Sequence, residues 1–565
     1  MVQVHWKKRQ RNMDLFKRLM NLGQSPLLAS IVATRNFNIS DEEEYGVFLE
    51  GKVENLEEPE LIPDIQGFKN LFKHSIPKNA VVFGDYDVDG TTSTFMMSKL
   101  FKQIGVANVS TFHPDRFKDG YGLNKNSLNT FNEEYKNKKI DIVTLLDCGT
   151  NSKEEIVKLK NTYNCKVVVV DHHILDDIVS CVGIADVVVS NRLPNGTKTP
   201  YCTGGLMYQI SRGMAKDFKQ IDPNKYLPYG AIATVADLVD LEYNNRIIVS
   251  EGLKQIKNTD ERGLIELCHV SNVDLDNATP ADIGFGIGPR INANGRIKHA
   301  KIVQQLFNCK NLVHISKIVD FIDKTNETRK DIQRKITDEA FDLVGNMTGR
   351  DSILIANESW NPGVVGIVAS KLQDEYKVPV MVFGGNAGKF KGSARSVEGI
   401  DVKGEVMDKI SHIFGHYGGH EMAAGAELKK EYLDTAWDIF DEQVKKVKQS
   451  RTISGYTILY DATLSLDTFK KINDSFCDKI FKIGPFGKGN ESPVFKLENL
   501  QIADVHQWKS NSGGFVKING MNYTVIAFGQ GVKEKFQNKT MDVLVQIKES
   551  FFDDKKYHIE IIASR

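Results

Sequence analysis

Val81-Val82-Phe83-Gly84-Asp85-Tyr86-Asp87-Val88-Asp89-Gly90 is an apolar run that ends in three carboxylates set two residues apart. An apolar run of strand length closed by glycine reads as a buried parallel strand, and open α/β sheets hold their ligands at the carboxyl ends of such strands. Three anions this close in a part-buried crevice repel one another. The pattern therefore calls for a neutralising cation, and a divalent metal bound through oxygen suits it. A second reading stays open from this stretch alone: a polar strand-to-helix turn in which Asp89 caps a helix over Thr91 to Leu100.

Outward from this stretch the chain alternates short apolar runs with amphipathic segments. Strands are expected from Ala80 to Phe83, Ile140 to Leu146, Lys166 to Val170 and Asp186 to Ser190, with helices from Thr91 to Ile104, Ser152 to Tyr163 and Gly204 to Lys216. Such alternation predicts a parallel, doubly wound sheet. Its second strand closes with Asp147-Cys148-Gly149 and its third with Asp171-His172-His173, while an apolar helix in Ala233 to Asp240 presents Asp237. Aspartates and imidazoles from separate strand ends can converge on one crevice, and an oxygen-rich set with imidazole suits Mn²⁺ or Mg²⁺ better than a thiol-seeking metal.

A chain of 565 residues is too long for one core. Its formal net charge is zero, so a polyanion would be held by local basic patches rather than by a global field. The seven cysteines form no C-x-x-C pair, which argues against a disulfide framework and a thiolate zinc site and fits a reducing compartment. The basic stretch Met1 to Asn12 lacks a following apolar region, and no apolar run reaches membrane-spanning length; a cytoplasmic protein is expected. Residues 1–78 are polar and read as a solvated cap on the first sheet, with 79–311 as a catalytic α/β domain. The stretch 312–345 has helical apolar spacing without Pro and reads as a connector to a second α/β domain over 346–450. From 451 to 565 the pattern turns to short alternating strands, a small β-barrel, in which Trp508, Lys509, Phe515 and Lys517 could stack unpaired bases beside a phosphate-tracking groove.

The set Asp85-Tyr86-Asp87-Val88-Asp89-Gly90, Asp147-Cys148-Gly149, Asp171-His172-His173 and Ala236-Asp237 resembles the DHH phosphoesterase superfamily. The resemblance narrows to RecJ-type single-stranded-DNA exonucleases through Arg116 to Gly122, Gly288-Pro289-Arg290 to Arg296, Trp360-Asn361-Pro362-Gly363, Gly418-Gly419-His420 to Gly425 and Gly484-Pro485-Phe486-Gly487-Lys488-Gly489-Asn490. It implies a DHH domain, a smaller DHHA1 domain joined by a long helix, and a C-terminal OB-type barrel. By the same resemblance Asp85, Asp87 and Asp147 hold one of two metal ions, and Asp89, Asp147, His172 and Asp237 hold the other. Asp171 then orients the imidazoles, His173 meets the scissile phosphate, and Arg116, Arg290, Arg395, Ser396 and His420 bind substrate, with Arg296 left outside the set. Asn361 stands where related sequences commonly carry His.

The implied activity is processive 5′→3′ hydrolysis of single-stranded DNA to mononucleotides in recombination and repair, by a monomer. A single-strand-binding protein and a RecQ-type helicase are the partners implied by analogy. Two other readings stand beside it: a DHH phosphodiesterase of short oligoribonucleotides or cyclic dinucleotides, whose relatives generally lack the barrel, and a non-catalytic DNA-binding replication factor.

Overall fold

A computed structural model describes the chain except residues 1–4, 36, 38, 346–348, 387, 451–456, 510–512, 522, 530 and 551–555. The boundaries expected at 345/346 and 450/451 lie against residues outside the described set.

The catalytic sheet has five strands, ordered in space Asn108–Phe112, Asn79–Gly84, Ile142–Leu146, Lys166–Val170 and Val187–Val189, all parallel. Alternation along the first apolar run explains the double winding. Ala80 and Val82 point into the core built by the helices Val88–Gln103 and Thr203–Ala215, whereas Val81 and Phe83 point into the opposite core against Leu128, Phe131, Ile156 and Leu159. The strand Asn108–Phe112 was not expected, because an edge strand with one covered face carries the polar sequence NVSTF and lacks an apolar run. The helix Leu312–Val344 leaves this body for the second domain.

That second domain is a mixed five-stranded sheet, ordered Phe414–His420, Ala423–Leu428, Lys389–Arg395, Val380–Asn386 and Ile353–Asn357. Its first three strands in this order run antiparallel to their neighbours and are rich in glycine and alanine, so their sequence carries little strand signal and reads as loops. The C-terminal barrel is built from the five expected strands, with Ala462–Thr463 and Asp504–Gln507 added at its two edges.

The N-terminal region departs from its expected place. Residues from Leu56 to Phe72 do cover the catalytic sheet, but Leu15, Leu19, Ile31 and Val32 are buried with Phe495, Leu497 and Val543 of the barrel. The strand His5–Lys8 pairs in parallel with Thr457–Tyr460, and Arg35 makes a buried ion pair with Asp461. Chain ends this far apart in sequence share one core, which no local pattern announces.

Candidate active site

Register decides the centre of the site. Gly84 stands opposite Leu146, Leu146 opposite Val170 and Val170 opposite Val189, so the residues that follow form one row along the carboxyl edge of the sheet. Asp85, Asp147 and Asp171 donate their backbone N–H groups to the carbonyls of Leu146, Val170 and Val189 at 3.3, 3.1 and 3.2 Å. Asp147 takes a left-handed backbone with φ of 59°, a costly conformation for a non-glycine residue that turns its carboxylate back over the sheet edge.

The helix Val88–Gln103 starts immediately after the first strand because Gly90 lets its first turn press on the strand end: a Cβ there would lie 2.5 Å from the Asp85 carbonyl oxygen. Asp87, and not Asp89, caps this helix by accepting the Gly90 N–H at 3.0 Å. Asp89 is the second residue of the helix, buried in its first turn, and accepts the backbone N–H groups of Thr203 and Gly204 at 2.8 and 2.7 Å. Asp85 accepts the Gly122 N–H at 3.2 Å through one oxygen, while the other is buried without a partner. Asp237 is the C-terminal cap of the helix Leu227–Ala236.

Three groups of ligand atoms result, the atoms of each within 4.8 Å of one another: Asp85, Asp87 and Asp147; Asp89, His172 and Asp237; and Asp147, Asp171, His172 and His173. Asp147 joins them, since its Oδ1 lies 3.4 Å from His172 Nε2. That nitrogen is also 3.6 Å from Asp237 and 3.8 Å from Asp89, and it is buried with no hydrogen-bond partner. Burial first and neighbouring carboxylates second raise Asp85 and Asp147 well above the usual carboxylate range, Asp89 to about 6 and Asp237 to about 8. Burial and the neighbouring His173 hold His172 down at about 4, so its imidazole is neutral with a free lone pair. Crowded oxygens, an orphaned carboxylate oxygen and an orphaned imidazole nitrogen aimed at one another fit a pair of hard divalent cations.

Asp171 belongs to the third group, but both of its oxygens are already taken by hydrogen bonds. It accepts the N–H groups of His172 and His173 and the Thr150 hydroxyl, and it sits 2.6 Å from His173 Nδ1. Burial opposes its charge, yet the two histidines and these hydrogen bonds hold its carboxyl far below the ordinary range. His173 answers: burial would lower it, but Asp171 and the other acids raise it to about 9. Its Nε2 meets the Tyr121 hydroxyl at 3.1 Å, and that hydroxyl donates to the Asp147 carbonyl at 2.9 Å. Tyr121 was absent from the expected set although it lies in the quoted Arg116 to Gly122 segment.

Beside this centre the surface turns cationic. A cleft of ≈ 1090 Å³ runs between the domains and is lined by Arg116, Tyr121, His173, Arg296, Arg395 and His420, among others. Lys391, Ser393 and Arg395 alternate along the strand Lys389–Arg395 and so share the cleft face. Arg395 is aimed by the hydroxyls of Ser370 and Ser393, Arg296 donates to the Gly363 carbonyl, and Arg116 stacks 4.9 Å over the Tyr86 ring. None of the three makes an ion pair among the described residues, and burial together with the nearby guanidinium of Arg116 depresses both Arg296, to about 9, and Arg395. Guanidiniums that crowd without carboxylates mark a site for an anion. His420 ends the strand Phe414–His420 in place of the expected loop, and His416 lines the same cleft.

Two expected substrate residues sit elsewhere. Arg290 is buried and donates to Asp323 on the connecting helix at 2.8 Å and to the Gly286 carbonyl, a tie between helices outside the cleft lining. Ser396 lies one residue past the strand; its buried hydroxyl donates to the Ile400 carbonyl at 2.6 Å, and Ser393 takes the cleft-facing place. Asn361 accepts the Gly363 N–H at 2.8 Å and so shapes the turn that carries the carbonyl bound by Arg296. In the barrel, Trp508 packs edge-on to Phe515 and Phe528, each ring centroid 5.5 Å away, and Phe528 is half exposed.

Three family models match the chain in order: the DHH family N-terminal domain over residues 79–234, the DHHA1 domain over 344–446 and the RecJ OB domain over 460–562. The chain thus carries the DHH, DHHA1 and RecJ OB domains in succession. The RecJ single-stranded-DNA-specific exonuclease of Bacillus subtilis strain 168 is 30% identical over 528 residues, which are 90% of this chain and 63% of the relative. The chain thus spans less than two thirds of that RecJ's length. The Haemophilus influenzae RecJ is 28% identical over 502 residues, 85% of this chain and 84% of the relative. Among solved structures, RecJ from Thermus thermophilus in complex with Mn²⁺ matches with a TM-score of 0.82 at 20% identity, covering 100% of this chain and 79% of that one. The RecJ architecture is therefore present from the first sheet to the barrel.

Proposed function

We infer that this chain is a metal-dependent exonuclease that degrades single-stranded DNA from its 5′ end to mononucleotides, in recombination and repair. The observation that carries the reading is two ligand groups sharing Asp147 beside a cleft lined by Tyr121, His173 and three guanidiniums, Arg116, Arg296 and Arg395, that make no ion pair among the described residues.

Asp85, Asp87 and Asp147 would hold one Mn²⁺ or Mg²⁺ ion, and Asp89, Asp147, His172 and Asp237 the other. When bound, such a pair supplies a water of lowered pKa and neutralises the phosphoryl oxygens. The remaining work falls to side chains. His173, charged at neutral pH and fixed between Asp171 and Tyr121, presents a cation to the scissile phosphate. Arg116, Arg296, Arg395 and His420 grip a terminal phosphate, whose second negative charge favours it over an internal diester. Holding the strand by its end beside the acids makes the cut exonucleolytic.

The barrel aromatics Trp508, Phe515 and Phe528 would track unpaired bases. A single-strand-binding protein and a RecQ-type helicase are the proposed partners, and a cytoplasmic monomer the proposed form; no helix among the described residues is long and apolar enough to cross a membrane. The second reading, hydrolysis of short oligoribonucleotides or cyclic dinucleotides, is disfavoured by the barrel.

One assay separates them: single strands blocked in turn at each end, duplex DNA, short RNA and cyclic dinucleotides, each with Mn²⁺ or Mg²⁺. Digestion of long single strands halted only by a 5′ block is expected. Preference for short RNA or cyclic dinucleotides would overturn the reading, and sensitivity to a 3′ block would reverse its polarity.

A further inference from the structure

The glycine-rich stretch from Gly484 to Asn490 has no part in the chemistry above, yet it packs against the segment that leaves Asp237. Leu241 donates its N–H to the Lys488 carbonyl at 2.8 Å, and the Lys488 ammonium lies 3.5 Å from Asp240. Contact is close enough to require glycine: at Gly489, where φ is 77°, a Cβ would lie 2.9 Å from the Asp240 Cβ, and at Gly487 one would lie 2.7 Å from the Leu241 side chain. The turn is itself braced. Gly487 and Asn490 exchange backbone hydrogen bonds at 3.0 and 3.2 Å, and the buried Asn490 amide donates to the carbonyls of Ile483 and Pro485 at 2.8 and 3.0 Å. From the catalytic side, buried Asn245 donates to the Asp240 carbonyl at 3.0 Å. Asp240 and Leu241 are thus gripped between barrel and catalytic body.

Asp237 needs such a grip. Backbone N–H groups hold the carboxylates of Asp85, Asp87 and Asp89, whereas the Asp237 carboxylate receives no hydrogen bond among the described residues. Between it and the gripped pair stands Leu238, with φ of 54° and its side chain 66% exposed, a left-handed leucine that gains no burial in return. Such a link persists where its surroundings over-determine it.

We propose that the Gly487–Asn490 turn of the barrel is a positioning element for Asp237, so that the C-terminal domain completes the metal centre as well as handling nucleic acid. The proposal rests on the reading of Asp237 as a metal ligand. Gly489 and Lys488 act through Asp237 and touch neither metal nor substrate.

The test uses the full-length chain carrying Gly489→Ala, Gly487→Ala, Asp237→Ala, or Gly489→Ala with Asp237→Ala. Mn²⁺ binding is measured by calorimetry without DNA, the Mn²⁺ concentration for half-maximal rate by titration, and single-strand affinity in EDTA. Gly489→Ala is expected to weaken Mn²⁺ binding and raise the half-activating concentration by about tenfold. Excess Mn²⁺ should restore its rate, and affinity for the strand in EDTA should stay within about twofold. In the Asp237→Ala background it should add nothing further. Should Gly489→Ala not fold, Gly487→Ala, which meets only a side-chain tip, is expected to move Mn²⁺ binding less but in the same direction. A folded turn variant with unchanged Mn²⁺ binding overturns the proposal, whether or not strand affinity falls. Unchanged Mn²⁺ binding in Asp237→Ala itself overturns the ligand reading beneath it, a separate result.

Discussion

The two walls of the cleft carry opposite charge and are built by opposite means. On the catalytic wall, carboxylates are buried at strand and helix ends and held by backbone N–H groups, so their mutual repulsion is fixed into the fold. On the cationic side, Arg395 sits on a strand, Arg296 near a helix end and Arg116 in a turn over Tyr86, held by hydroxyls, a carbonyl and a ring that carry no charge. The first wall needs cations and the second an anion. Under the proposed function, bound metal ions satisfy the first and the phosphate of a nucleic-acid end the second.

Substitutions on the two walls should therefore differ in kind. Asp147→Asn removes the oxygen shared by both ligand groups and should lower turnover by about 10³-fold or more, while single-strand affinity in EDTA is kept. The same change should raise the melting temperature of the metal-free chain, because one buried like charge is gone; a lowered value would break the account of stored repulsion. Arg395→Ala on the other wall should raise KM for 5′-phosphorylated strands by roughly thirtyfold, about 2 kcal/mol for a charge-assisted contact, with kcat little changed. An equal loss on strands lacking that phosphate would show that Arg395 grips something else.

A pH series sharpens the contrast. Asp237 is raised from 3.8 to about 8 and His173 from 6.5 to about 9, so the folded metal-free chain binds more protons than the unfolded one, and stability falls as pH rises. His172, lowered from 6.5 to about 4, works in the opposite sense below 6.5. The loss in EDTA should therefore be steepest between about pH 6.5 and 8, where both groups count, and the stabilisation by Mn²⁺ should grow across the same window. Urea unfolding with and without metal checks this, and a flat profile would break it. The smallest functional effect belongs to Arg290→Ala: KM should stay within about twofold while the helix tie costs roughly 1–2 kcal/mol of stability.

What could be read without coordinates followed from local chemistry. An apolar run before Asp85 and another before Asp147 declare parallel strands, the carboxylates at their ends declare a cation site, and alternation after the connector declares a barrel. The strand Lys389–Arg395 was hidden because glycine and serine carry no strand signal, although Lys391, Ser393 and Arg395 already showed its period of two. Arg290 and Arg296 looked alike along the chain, and nothing local said that one would meet Asp323 and the other the cleft.

By itself the sequence determined the type of the apolar strands and amphipathic helices and the charge at the ends of those strands, because these depend on neighbours a few residues away. Only the tertiary structure decided that Asp85, Asp147 and Asp171 stand in one row, that Arg116, Arg296 and Arg395 line one cleft, and that the N-terminal helices lie in the core of the last domain. Register, domain closure and the burial of distant segments are set by packing between residues far apart in the chain.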